Sequence, residues 1–262
     1  MSQTYRNYEH VFIDGESNDE TISIIKGYYS NAIIHMRRDS GVYDAFNRGL
    51  ELVNGDIVGF LHSDDFFTDD SALERIAGAF QAGKNIAYYC SRMINWDPVS
   101  GKVVTILGKD PETCSTIGDL RRIHHHAHPT YYVRKNVMDQ IGKYQVCYKL
   151  AADFDWLKRL ERASLDYHYD PQPLVVFRLS GLSARNYIRA LVEDFHIVKN
   201  YEGVSVRMLL IFALHFIRRV VRFFLEVNGM HSIVALLRKK LKIFFAEVPE
   251  SQNLVVQRHS RK

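Results

Sequence analysis

Cysteine is scarce in this chain: Cys90, Cys114 and Cys147 stand far apart, and no pair has Cys-x-x-Cys spacing. That pattern offers neither a zinc knuckle nor the disulfide framework of a small secreted domain, and a reducing cytoplasm suits it best. The opening MSQTYRNYEH lacks the apolar run of a secretory signal, so nothing in it directs export. Excess charge of one sign is nearly absent as well. The formal balance is +4 over 262 residues, too small to argue for nucleic acid as a partner. What bias exists is positional, with basic residues gathered toward the C-terminus. A content of 47% hydrophobic and 24% charged residues excludes disorder throughout and suits a globular protein with one sizeable core.

Short apolar runs alternate with amphipathic stretches over the first ninety residues. HVFID reads as a buried strand ending in Asp14, and ETISIIKGYY as a helix with Ile22, Ile25 and Tyr29 at helical spacing. AIIHM is a second strand, GVYDAFNRGLELV a second helix and DIVGFLH a third strand. This alternation predicts an α/β fold whose sheet is mostly parallel or mixed and flanked by helices. A helix over about 71–82 and a strand in NIAYYCSRMINW follow, and the segment from about 98 to 122 reads as irregular. In such sheets ligands sit at the carboxyl ends of the strands, which puts IDGESND and HSDD on the binding rim.

Two adjacent aspartates, Asp64 and Asp65, end the third strand. Like charges there repel unless a cation or a donor group compensates. Magnesium or manganese does so, with one or two carboxylates and substrate phosphates in its shell. A solvated turn, or a cap on the helix beginning near Asp69, is the competing reading of the pair.

Three blocks, YEHVFIDGESNDET, RRDSGVYDAFNRGLELVNGDIVGFLHSDD and YKLAADFDWLKRL, resemble the motifs of family 2 glycosyltransferases over roughly residues 5–183. The resemblance implies a GT-A fold and inverting transfer of a sugar from a nucleotide-diphosphate donor to a saccharide or lipid-linked saccharide in surface polysaccharide assembly. By the same resemblance Asp14 contacts the base or ribose, supported by Ser17 and Asp19, while Asp39 and Asn47 line the donor pocket. Asp64 binds Mg2+ or Mn2+, and Asp65 assists it or holds ribose and sugar hydroxyls. His62 stands where many relatives have aspartate and is a second candidate metal ligand, since imidazole binds manganese. Asp153 takes the position of the catalytic base, next to Ala152 in place of a first acidic residue. Asp155 is the alternative base, and a helix N-cap the competing role for Asp153. His128 falls on the acceptor or phosphate side. The neighbouring His124, His125 and His126 do not imply a zinc centre, because contiguous side chains diverge. Gly181 and Ser183, in RLSGLSARN, resemble a lid element.

Residues 1–186 thus read as the catalytic domain, 187–246 as a helical extension and 247–262 as a polar tail. The extension sets Arg218, Arg219 and Arg222, then Arg238, Lys239, Lys240 and Lys242, among apolar and aromatic residues. That pattern predicts interfacial helices on an anionic membrane, placing the protein in the cytoplasm or against the inner face of the cell membrane; packing on the catalytic domain is the other expectation. Family members normally carry one more strand and helix ahead of the point where this sequence starts. A late start codon, a degraded relic, or another segment filling the gap would each account for it. The missing strand and Ala152 motivate a second reading, a catalytically silent relative serving as a membrane-associated partner.

Overall fold

The computed structural model describes residues 3–29, 32–98, 101–113, 127–179 and 186–227. Cys114, His124, His125, His126, Gly181, Ser183 and the second basic stretch beyond residue 227 lie outside the described residues.

Strands β1 (Val11–Asp14) and β2 (Ile33–Met36) pair in parallel, from Val11 against Ile33 to Asp14 against Met36. A parallel pair needs a crossover, and α1 (Thr21–Tyr28) supplies it. Helix α2 (Val42–Leu52) follows. Its N-cap, Gly41, has φ 128°, a conformation open to glycine. Asp44 reaches back to accept the Ser40 N–H at 3.0 Å and its hydroxyl at 2.9 Å, tying off the first turn.

A second sheet contains β3 (Ile57–Gly59), β4 (Phe66–Phe67), β5 (Tyr88–Asp97), β6 (Lys102–Leu107), β7 (Tyr132–Arg134) and β8 (Tyr167–Arg178). Its order is β3-β7-β5-β8-β4, with β6 also beside β5. Only β5 and β8 run parallel; every other neighbour is antiparallel, so the sheet is of the mixed kind. Helices α3 (Ala72–Ala82), α4 (Lys135–Ile141) and α5 (Ala152–Arg162) flank it. Two longer helices, α6 (Tyr187–Glu202) and α7 (Val206–Val227), complete the chain.

Strand β5 is buried along almost its whole length, which is why it reads as a continuous apolar run rather than an alternation. One core face gathers Tyr88, Val133, Trp156 and Leu160; the other gathers Ile76, Phe80, Tyr89 and Leu174. A third cluster joins Phe154 of α5 to Ile197 and Val198 of α6 and to Met208, Ile211 and Phe212 of α7.

Two elements depart from the sequence reading. The third strand stops at Gly59, and the chain then turns, with the Asp65 N–H bonded to the His62 carbonyl at 3.1 Å. The segment read as irregular contains β6, which returns against β5 through a turn closed by Gly101 N–H to Asp97 O at 2.9 Å. Gly101, at φ 66°, is the residue that permits that turn.

Candidate active site

Asp153 lies in the first turn of α5 and is half-buried. The helix N-cap is Ala151, without a side-chain cap, so Asp153 is not used for that purpose. Its Oδ1 accepts the Tyr43 hydroxyl at 2.8 Å, a bond that reaches from α2 to α5. Burial, followed by the charge of Asp153, pushes the Tyr43 phenol far upward, so Tyr43 stays a donor. Asp155 points elsewhere: its carboxylate accepts Arg159 Nε at 3.1 Å and the Tyr201 hydroxyl at 2.9 Å. Ala152 is fully buried in the aromatic core with Trp156 and Leu157.

His128 sits in a short 3-10 turn, His128–Thr130, and is buried. Its Nε2 meets the Tyr144 hydroxyl at 2.8 Å, and its ring stacks on Phe46 and Phe60 at centroid distances of 5.7 and 5.6 Å. Burial holds its pKa down to about 4, so the ring is neutral at physiological pH. Nδ1 has no protein partner. His62 packs against Phe46 at 5.5 Å; burial lowers its pKa too, opposed by the charges of Asp153 and Asp64. The same electrostatic neighbourhood therefore contains Asp64, Asp153, His62 and His128.

Asp65 turns inward from that group. Its Oδ1 accepts the Arg178 N–H of β8 at 3.2 Å, and its buried Oδ2 has no protein partner. Burial, reinforced by the charge of Asp64, pushes its pKa up to about 7. Asn47 is committed to the backbone, donating to Tyr144 O at 2.9 Å and accepting Tyr144 N–H at 2.8 Å. It fastens the Tyr144 loop to α2 and thereby positions the His128 partner.

At the end of β1, Asp14 accepts the Ser17 N–H and hydroxyl, both at 2.7 Å, forming a closed turn. Asp19 accepts the Thr21 N–H at 3.0 Å where α1 begins. Asp39 stands against Gly15, where an added Cβ would lie 3.2 Å from Asp39 Oδ2, and accepts the Gly41 N–H at 3.0 Å. Asp39, His62 and Asp64 border one cleft of about 1280 Å³, which brings the β1 end and the β3 end to a common space.

A divalent cation fits the chemistry of this rim. Asp64 and His62 border the cleft together, a carboxylate and an imidazole of the kinds that bind such ions, whereas Asp65 turns away and owes its raised pKa first to burial. Among the described residues no three histidine, cysteine or carboxylate side chains form a complete cage, so the remainder of a cation's shell would be phosphate and water oxygens.

Tyr43, Tyr144 and Glu193 escape sequence reasoning. Glu193 of α6 accepts the Leu150 and Ala151 N–H groups at 2.8 and 3.1 Å, holding the entry to α5. The patterns GVYDAFN and KYQVCYK carry no mark of the distant partner, although the tyrosine of GVYDAFN lies inside a motif block.

Among solved structures, TarS of S. aureus, in complex with UDP, superposes with a TM-score of 0.56 at 17% identity, over 81% of this chain and 63% of that one. The mannosyltransferase PcManGT of Pyrobaculum calidifontis, in complex with GDP-Man and Mn2+, gives 0.55 at 13% identity, over 99% of this chain and 73% of that one. At such identities the likeness shows the fold, and the fold is the GT-A arrangement of glycosyltransferases. The profile of glycosyl transferase family 2 matches residues 1–153, more than half of the sequence, and the chain belongs to that family. A PGL/p-HBAD biosynthesis glycosyltransferase of Mycobacterium bovis is 31% identical over 161 residues, which are 59% of this chain and 58% of the relative. An uncharacterized glycosyltransferase of Mycobacterium tuberculosis is 27% identical over 164 residues, 60% of this chain and 59% of the relative. The chain thus spans less than two thirds of the length of these curated relatives.

Proposed function

We propose that the chain is an inverting transferase that moves a sugar from a nucleoside diphosphate to a saccharide or lipid-linked saccharide in the assembly of a surface polysaccharide. The observation that carries this reading is the Tyr43–Asp153 bond, which fixes a half-buried carboxylate beside His62 and Asp64. Asp153 takes the proton from the acceptor hydroxyl as that oxygen bonds to the anomeric carbon, and Tyr43 holds the carboxylate in place. Asp14, with Ser17 behind it, and Asp39 meet the base and ribose. Asn47 acts through the Tyr144 loop, and neutral His128 lines the acceptor side. Asp64, with His62, would hold Mg2+ or Mn2+. Such an ion supplies positive charge against the charge that develops on the departing diphosphate. Asp65, turned toward Arg178, sets the loop that presents Asp64 and reaches ligand through it.

The Mn2+ and GDP-Man in PcManGT and the UDP in TarS support this assignment by analogy with proteins of the same fold. The silent-relative reading has less support. Ala152 occupies a buried apolar position where a carboxylate would need its own partner, so its presence removes a second charge without removing Asp153. We also place the protein against the cytoplasmic leaflet through α7. No described helix is long and apolar enough to cross a membrane, while α7 exposes Leu210, Phe216, Ile217 and Phe224.

The test is turnover of a nucleotide-sugar panel with Mn2+ by the wild-type chain, Asp64→Ala and Asp153→Asn. Loss of the base is expected to lower kcat about 10²–10⁴-fold while nucleotide binding persists. Asp64→Ala is expected to weaken Mn2+-dependent nucleotide binding. Wild-type protein that neither binds nor turns over any nucleotide sugar would overturn the assignment.

A further inference from the structure

A second pocket lies apart from the cleft and shares no lining residue with it. Its volume is about 360 Å³, within the range of about 300–1,000 Å³ that small-molecule sites occupy. Its walls come from the first residues of β5 and β8, the second half of α5, the last turn of α6 and the short turn Pro111–Thr113. Asp153 and Glu161, which stand at the cleft and at this pocket, lie about 12 Å apart along the α5 axis.

Each wall is pinned by contacts of its own. Tyr88 and Tyr167 stack at 5.3 Å with 12° between their rings. The Tyr167 hydroxyl donates to Asp110 at 2.6 Å and accepts the Glu112 N–H at 3.2 Å, which fastens the Pro111–Thr113 turn to β8. Across the pocket the Tyr201 hydroxyl donates to Asp155 at 2.9 Å, and the Arg162 guanidinium stands over the Tyr201 ring at 5.9 Å. Lys158 is buried, with Nζ 3.3 Å from Glu161 and 3.6 Å from Glu202. Walls held this way are formed before a ligand arrives, which spares binding the cost of ordering them. Tyr88 differs from its neighbours: it is 4% exposed, yet among the described residues its hydroxyl has no hydrogen-bond partner. A buried hydroxyl gains from any ligand group that bonds it.

The lining selects the chemistry of that ligand. Glu112, Glu161 and Glu202 outnumber Lys158 and Arg162, which opposes phosphate or a nucleotide. The two cations in the same walls oppose a polyamine, and the charged heads together oppose a purely apolar molecule. A neutral sugar suits both kinds of lining, because its hydroxyls donate and accept while its C–H face rests on tyrosine, Pro111 and Leu165. We propose that this pocket binds one neutral pyranose unit of a saccharide, at a site separate from the donor cleft.

The full chain is tested at millimolar concentrations of the methyl α-pyranosides of glucose, galactose, mannose and N-acetylglucosamine, by saturation-transfer NMR, with and without UDP or GDP and Mn2+. At least one glycoside is expected to bind, and nucleotide should leave its signal unchanged. Tyr88→Phe keeps the stacked rings and should weaken that glycoside about three- to tenfold, the loss of one hydrogen bond. Glu112→Ala, at an exposed rim position, should weaken it as well. Asp64→Ala and Asp153→Asn should bind it as the wild type does. A chain that turns over no nucleotide sugar but still binds the glycoside in this pattern would refute the transferase reading and uphold this site. Failure of every glycoside to bind overturns the proposal. So does binding that nucleotide abolishes, or that keeps full affinity in both Tyr88→Phe and Glu112→Ala, since the sugar then sits elsewhere. Binding of inorganic phosphate or spermidine that Tyr88→Phe weakens, without any glycoside binding, assigns the pocket to a charged ligand and overturns it too.

Discussion

A carboxylate becomes a usable base when something fixes its direction, and for Asp153, the base we propose, that something is one hydroxyl. The bond from Tyr43 to Asp153 joins residues 110 positions apart. Tyr43→Phe keeps the ring and its stacking on Tyr144 but removes the donor. The expected result is a kcat reduced about tenfold or more with KM unchanged, and a stability loss of about 1–2 kcal/mol read from thermal or urea unfolding. Two buried groups give opposite pH signatures. His128 has a folded pKa of about 4, below its unfolded value of 6.5, so the unfolded state binds more protons between those limits and stability falls as pH drops through them. Asp65, raised to about 7 from 3.8, binds its proton more tightly when folded, so its contribution falls as pH rises through that window. In metal-free buffer His128→Gln should therefore remove a loss of Tm on acidification, and Asp65→Asn should remove a loss on neutralisation. The comparison is each variant's Tm against that of the wild type from pH 4 to 7. Equal slopes in all three proteins would refute both assignments. Asp64 and Asp65 are legible in the sequence as an adjacent acidic pair after an apolar run, and Asp153 through the resemblance of its block to the family's motif. Tyr43 is not, because a tyrosine in an amphipathic helix reads equally well as core.

Elements are placed by contacts that local pattern does not announce. Strands β1 and β5 and helices α1 to α3 fall close to where apolar periodicity places them. β6 lies in a stretch that reads as irregular because its alternation is short and follows a loop, although Gly101 and Asp97 mark the hairpin turn. Gly59 shows how tightly β3 and β7 approach: a Cβ there would lie 2.3 Å from the Tyr132 ring. Gly59→Ala is expected to cost about 3 kcal/mol, since the ring is held between strands and cannot swing aside freely. Glu193 ties α6 to the start of α5 through two backbone N–H groups. Glu193→Ala leaves both without their acceptor, with an expected loss of about 1–3 kcal/mol by urea unfolding and a matching loss of order at Asp153. An unchanged unfolding midpoint would show that water replaces the carboxylate.

Across the whole molecule, the helical extension both packs and remains exposed. Met208, Ile211 and Phe212 of α7 bury themselves with α5 and α6, whereas Leu209, Leu210, Phe216, Ile217 and Phe224 stay largely open to solvent. One face of α7 therefore packs on α5 and α6, and the membrane proposal rests on the other. Phe216→Glu combined with Ile217→Glu should abolish co-sedimentation with anionic vesicles at low salt and leave the fold intact. Wild-type protein that ignores such vesicles would remove the membrane assignment. The sequence by itself determined the α/β alternation, the family and the acidic rim, because periodicity and local motifs are carried by neighbouring residues. Only the tertiary structure decided that Asp64 borders the cleft while Asp65 turns inward, that Tyr43 bonds Asp153, and that Glu193 holds the entry to α5. Those facts depend on backbone edges and on contacts between residues far apart in the chain, which no short stretch of sequence contains.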